Sequence, residues 1–304
     1  MTQRLAAVLA GQGGVFATRD ALTAGIDHRE LAALVRARAV VRVRRGAFVS
    51  GAVYEAAHPD ERYRLRVRAL LRARPESAAA SHAALALHGL PHWSSDPRRI
   101  DLVAPVSRSH SSGGVVVRPL GECEIVLVDG WRSAGLAAAL LQHAAGNGAL
   151  AGVVAMDAAV HSTAIGLDRL SALAEQVQGR GARDARRAVA MVDPACESVG
   201  ETRTRILLRD LGIPCRSQVV VYDARAVLAR VDFLAYDRVV IEFDGLCKYD
   251  GFAGREALAR EKARESRLHD LGYEVVRLIW ADLDNPPEVL RRVQVAAARA
   301  RARS

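Results

Sequence analysis

The stretch Arg230-Val-Asp-Phe-Leu-Ala-Tyr-Asp-Arg-Val-Val-Ile-Glu-Phe-Asp-Gly-Leu-Cys-Lys-Tyr249 decides how the second half of this chain folds. Leu228 to Leu234 and Val239 to Phe243 are rich in β-branched and aromatic residues, with Tyr236-Asp-Arg238 between them. That pattern predicts two strands joined by a three-residue turn. Side chains alternate between the faces of a strand, so Glu242 and Asp244 leave the same side. The same turn sets Asp232 opposite Glu242, and a slip of one residue would separate them. Carboxylates gathered in this way repel one another unless they share a cation or a proton. A divalent metal relieves that repulsion, and an all-oxygen donor set suits Mg²⁺ or Mn²⁺ better than zinc.

Lysine usage marks the end of the same stretch. The chain holds two lysines, Lys248 and Lys262, against 41 arginines. Arginine keeps its charge and presents a planar fork, whereas lysine is a compact ammonium whose pKa can move. Lys248, beside the acidic cluster, is therefore a candidate site residue. Lys262 falls in a stretch of alternating charge, Arg255 to Leu271, and reads as part of a solvated, salt-bridged helix face.

Outward from the hairpin, Glu197 to Leu211 reads as a helix on which Glu197 and Glu201, four apart, share a face. Gln218 to Tyr222 is a first strand, Arg255 to Leu271 a long helix, and Tyr273 to Ile279 a last strand. Arg277 and Trp280, at its end, read as core packing. Helix, three-stranded meander, helix and strand make a compact α/β unit.

This arrangement resembles the PD-(D/E)xK nuclease superfamily, and within it the domains related to very-short-patch-repair endonucleases. Glu197 and Glu201, Gln218, Arg230-Val-Asp-Phe233, Val240-Ile-Glu-Phe-Asp-Gly245 with Lys248-Tyr249, and Gly272-Tyr-Glu-Val-Val-Arg-Leu-Ile-Trp280 carry the resemblance, over about residues 195–293. It implies a DNA endonuclease that hydrolyses phosphodiester bonds with Mg²⁺ or Mn²⁺. Asp232 and Glu242 would be metal ligands and Glu201 a further carboxylate near the metal or its water. Asp244 joins them as a third candidate ligand. It also stands where the superfamily has its lysine, two residues after the strand acid, and Lys248 is the candidate to supply that ammonium from a shifted position.

Residues 1–75 contain 14 arginines against 6 acids, and the remaining residues are close to neutral. A local cationic excess of this kind is the footprint of a polyanion partner, and nucleic acid is the first to consider. The segment reads as three short helices and a hairpin. Leu5, Val8 and Leu9 mark the first helix, Thr18 caps the second, and Asp27 caps the third with Glu30 completing a capping box. Val40 to Val49 alternates apolar residues with arginines around Gly46, as a β-ribbon wing does.

That order is similar to a winged helix-turn-helix and resembles the N-terminal domain of AbiEi-type antitoxins, over roughly residues 1–55. In such folds the third helix enters the major groove while wing cations meet phosphates. Arg29, Arg36 and Arg38 would lie on or just after that helix, and Arg42, Arg44 and Arg45 in the wing.

Residues 56–190 read as an α/β connector: a helix from Asp60 to Arg74, a shorter one from Ser81, strands at Ile100 to Val103 and Val115 to Val117, then alanine-rich helices. His82 and His88 are six apart and do not align on one helical face, so they read as structural histidines. The four cysteines show no Cys-x-x-Cys pair and read as reduced core residues. No charged head precedes an apolar run at the start, so the expectation is a cytoplasmic protein.

The fold class expected is α+β multidomain: a winged helix-turn-helix over 1–55, the connector over 56–190 and a restriction-endonuclease-like domain over 191–304. The function expected is DNA cleavage directed by the first domain. The alternative is a non-enzymatic, antitoxin-like regulator that binds DNA, its last domain serving dimerisation or toxin contact. An RNA-directed nuclease is a third reading.

Overall fold

A computed structural model describes residues 3–224, 226–245 and 252–303. The chain divides into two compact units, Met1–Ala155 with Ile165–Ala190, and Met156–Ala164 with Met191–Ser304.

Unit one begins α1 (Gln3–Ala10), β1 (Val15–Ala17), α2 (Thr18–Thr23), α3 (His28–Arg36), β2 (Val40–Arg44) and β3 (Ala47–Ser50). Asp27 starts α3 by accepting the Glu30 N–H at 2.7 Å, and Arg36 in the last turn complements the negative end of the helix dipole. Thr18 does not cap α2 but opens it; the Asp20 carboxylate accepts the Ala17 N–H at 2.7 Å in that role. The strands form an antiparallel sheet in the order β1-β3-β2, and Gly46, at φ +82°, makes the tight turn of the wing. Leu31, Leu34 and Val35 of α3 pack on Phe16, Ile26, Val40 and Phe48.

The other side of this small sheet is also covered. After α4 (Gly51–Ala56) comes α5 (Pro59–Ala73), whose Leu65 and Ala69 share a core with Val15, Val43, Ala47 and Val49. The winged segment therefore shares an apolar core with the residues that follow it. β4 (Ala78–Ala79), α6 (Ser81–Leu87), β5 (Ile100–Ala104), β6 (His110–Ser112), β7 (Val115–Pro119), β8 (Ile125–Val128) and β9 (Trp131–Ala134) supply a mixed sheet, order β6-β7-β5-β4-β9-β8. α7 (Leu136–Asn147), α8 (Ala149–His161), α9 (Leu167–Gln176) and α10 (Ala182–Val189) follow. His82 is fully buried, with Nε2 3.0 Å from the Arg99 carbonyl and Nδ1 3.4 Å from Asp101, a core histidine.

Unit two contains α11 (Val199–Asp210), β10 (Cys215–Asp223), β11 (Ala226–Ala235), β12 (Val239–Phe243), α12 (Phe252–Asp270), β13 (Glu274–Leu278) and α13 (Pro286–Arg303). The sheet runs β10-β11-β12-β13, antiparallel except for β12 and β13, which are parallel and joined across α12. On one face Phe233, Val239 and Ile241 pack with Leu208 of α11 and Val289 and Val293 of α13. On the other, Val231, Leu234 and Val240 pack with Leu268 of α12. Gly200 lets α11 approach β12: a Cβ there would lie 1.9 Å from the Phe243 ring.

Candidate functional site

The hairpin closes with Ala235 paired to Val239, and the ladder continues through Leu234 with Val240 to Phe233 with Ile241. One residue further along the two strands, just past the last paired positions, stand Asp232 and Glu242. Asp232 ends the ladder with its side chain, Oδ2 accepting the Phe243 N–H at 2.8 Å. Burial pushes its carboxyl up to about 6, against that hydrogen bond, and the neighbouring charges of Glu201 and Glu242 push the same way. Glu201, nearly buried on the first turn of α11, is fixed by Gln218 Nε2 at 2.8 Å and by the Glu197 N–H at 3.0 Å. Glu201 and Glu242, on two other elements, are thus near enough for their charges to act on Asp232.

Their donor chemistry fits a hard divalent cation. Mg²⁺ keeps several waters and needs one or two protein carboxylates, and Asp232 with Glu242 provides that number. Among the described residues no three histidine, cysteine, aspartate or glutamate side chains gather closely enough to cage a metal alone. Asp244 follows the end of β12, where its N–H donates to the Leu278 carbonyl at 2.7 Å. Lys248 lies outside the described residues. Lys262 is exposed on α12.

Two arginines that the sequence did not single out as site residues stand beside Glu242. Arg264 Nη2 of α12 lies 2.9 Å from its carboxylate, and Arg277 Nη1 of β13 lies 3.6 Å away. Arg277 is thus a partly exposed ion-pairing residue and not core packing; Trp280 does pack, edge to face, against Phe243 with ring centroids 4.8 Å apart. Parallel pairing sets Arg277 beside Glu242 in the ladder, a neighbour that no reading of β13 by itself could supply. Burial draws the Arg264 guanidinium down, but its bonds to Glu261 and Glu242 outweigh this and hold it above the ordinary arginine value.

In unit one, the side of α3 turned from the core carries His28, Arg29, Ala32, Ala33 and Arg36, all exposed. His28, Ala32 and Arg36 face Arg42 and Arg45 of the wing across a cleft of about 640 Å³ floored by Leu31, Val35 and Phe48. Arg38 is exposed just past the helix, at φ +57°. Arg44 points elsewhere: it donates to the Val43 carbonyl at 2.9 Å and the Arg98 carbonyl at 3.1 Å, and burial followed by the Arg66 charge lowers its pKa. His28 and the two small alanines were not among the sequence candidates. Their signal is the i, i+4 spacing to Arg36 and Arg29, which puts them on the same outward stripe.

Residues 3–51 match the family described as transcriptional regulator, AbiEi antitoxin. The N-terminal segment is similar to that family, and the match ends within the wing's return to α4. Two uncharacterised proteins of Mycobacterium tuberculosis, from strains CDC 1551 and H37Rv, are each 29% identical over 135 residues, covering 43% of this chain and 49% of the relative. The chain thus spans about half the length of the curated relatives it matches. Among the described residues, no helix is long and apolar enough to cross a membrane.

Proposed function

We propose that this protein binds duplex DNA through α3 and the wing, and that its second unit hydrolyses phosphodiester bonds with a bound Mg²⁺ or Mn²⁺. The observation that carries the cleavage reading is Asp232, next after the paired stretch of β11, accepting the Phe243 N–H while the charges of Glu201 and Glu242 act on it. A divalent ion held by Asp232 and Glu242 would polarise a phosphoryl oxygen and make its bound water a stronger nucleophile. Glu201, fixed by Gln218, orients the attacking water. In the hydrolysis the water oxygen would bond to phosphorus and give up a proton to solvent, while the bond from phosphorus to the leaving sugar oxygen breaks and that oxygen takes up a proton from solvent. Lys248 is the sequence's candidate to offset charge on the leaving oxygen.

A second reading is an antitoxin-like transcriptional regulator whose second unit cuts nothing. The family match over residues 3–51 favours it, and so does the pairing of Glu242 with arginines of its own chain. A supercoiled plasmid incubated with the protein and increasing Mn²⁺ or Mg²⁺ separates the two. Nicking that requires metal, disappears in Asp232→Ala and weakens in Lys248→Ala is expected for the nuclease. DNA binding without cleavage of plasmid, mismatched or branched substrates would leave the regulator.

A further inference from the structure

Cleavage needs positive charge at the scissile phosphate, and the position where the superfamily carries its lysine holds Asp244. The cations that the described fold brings to the carboxylates are guanidiniums. Arg264 and Arg277 reach Glu242 from two elements, at 2.9 and 3.6 Å. Each also has a carboxylate on α12 to hold it: Arg264 lies 2.6 Å from Glu261, and Arg277 pairs with Glu261 and lies 3.1 Å from Glu265. Neither guanidinium therefore depends on Glu242 for its position.

A guanidinium on Glu242 and a divalent ion on Glu242 compete for the same negative charge. When Glu242 binds an ion, the α12 carboxylates keep both arginines at the site and part of each N–H fork is released. A planar fork of donors matches phosphate oxygens as well as it matches a carboxylate. We propose that Arg264 and Arg277 are the phosphate-binding cations of the cleavage site, paired with Glu242 in the metal-free protein and turned to the scissile phosphate once Glu242 holds a metal. This inference rests on the nuclease reading.

The test uses the full-length protein and Arg264→Ala, with Arg264→Gln as a second variant that keeps the side chain's length should the alanine variant not fold. Calorimetric titration with Mn²⁺, in the absence of DNA, measures the competition. Removing the guanidinium should tighten Mn²⁺ binding about fivefold, the scale of a partly exposed ion pair. Single-turnover plasmid cleavage at saturating Mn²⁺ should slow by about 100-fold, the loss seen when one donor to a developing charge is removed. Arg264→Lys should recover part of that rate, which a purely structural role would not give. Unchanged or weaker Mn²⁺ binding, or undiminished cleavage by the variants, would overturn the inference and leave the nuclease reading standing. A wild-type protein that cuts nothing would refute the nuclease reading first, and this inference with it.

Discussion

Asp232 is a carboxyl held where its charge is unwelcome. Its pKa of about 6 in the folded chain lies above the usual value of about 3.9 for an unfolded aspartate. The folded state therefore binds the proton more tightly, and stability falls as pH rises from about 4 through 6, the cost persisting above that window. Replacing Asp232 with Asn removes the charge and keeps an acceptor for the Phe243 N–H. Asp232→Asn is expected to be more stable than wild type at pH 8 by on the order of 2–3 kcal/mol, with the gap closing near pH 4. Urea unfolding at both pH values in the presence of a chelator checks this; equal stability at pH 8 would show that the site tolerates the charge.

Two elements, α3 and the wing, present the exposed Arg29, Arg36, Arg42 and Arg45, and the wing's arginines differ in what they touch. Arg42 and Arg45 are exposed at the cleft, whereas Arg44 bonds to carbonyls of its own unit. Each phosphate contact contributes about 0.9 to the slope of log affinity against log salt. Arg42→Ala or Arg45→Ala should therefore lower the slope for duplex DNA by about one and weaken binding to all sequences alike. Arg44→Ala should leave the slope unchanged and lower the melting temperature instead. Fluorescence anisotropy across a salt series decides; a slope that drops in Arg44→Ala and holds in the other two would reverse the assignment. The alternation of residues in β2 predicts which arginines share a face, but the partner of Arg44 lies 54 residues on.

At the scale of the whole molecule, the chain crosses between its units more than once, since Met156–Ala164 belongs with Met191–Ser304. Asp157 is one tie that holds that short segment in, alongside His161, whose Nδ1 lies 2.9 Å from the Pro194 carbonyl. The Asp157 carboxylate is buried and takes bonds from Arg205 at 2.8 Å, Thr202 Oγ1 at 2.8 Å and the Asp193 N–H at 2.8 Å. Burial pushes the Asp157 pKa up in spite of these partners. Asp157→Ala leaves Arg205, itself largely buried, without its closest partner, and breaking a buried pair on one side costs about 3–5 kcal/mol. The expected outcome is a second unit that melts well below wild type, followed by circular dichroism. A variant that melts like wild type would mean that segment 156–164 adds nothing to unit two. The division between the units falls after Ala190, with segment 156–164 counted in unit two.

What the sequence determined by itself is local. The Asp27 cap, the wing around Gly46, and the three-residue turn that pairs Ala235 with Val239 each depend on residues a few positions apart, where strand alternation, capping and turn length act directly. The tertiary structure alone decided which charges meet. Arg264 stands 22 residues from Glu242, and Arg205 stands 48 from Asp157. Nothing in an arginine-rich sequence tells one guanidinium from another until the packing of α12, β13 and α8 brings a particular carboxylate within reach.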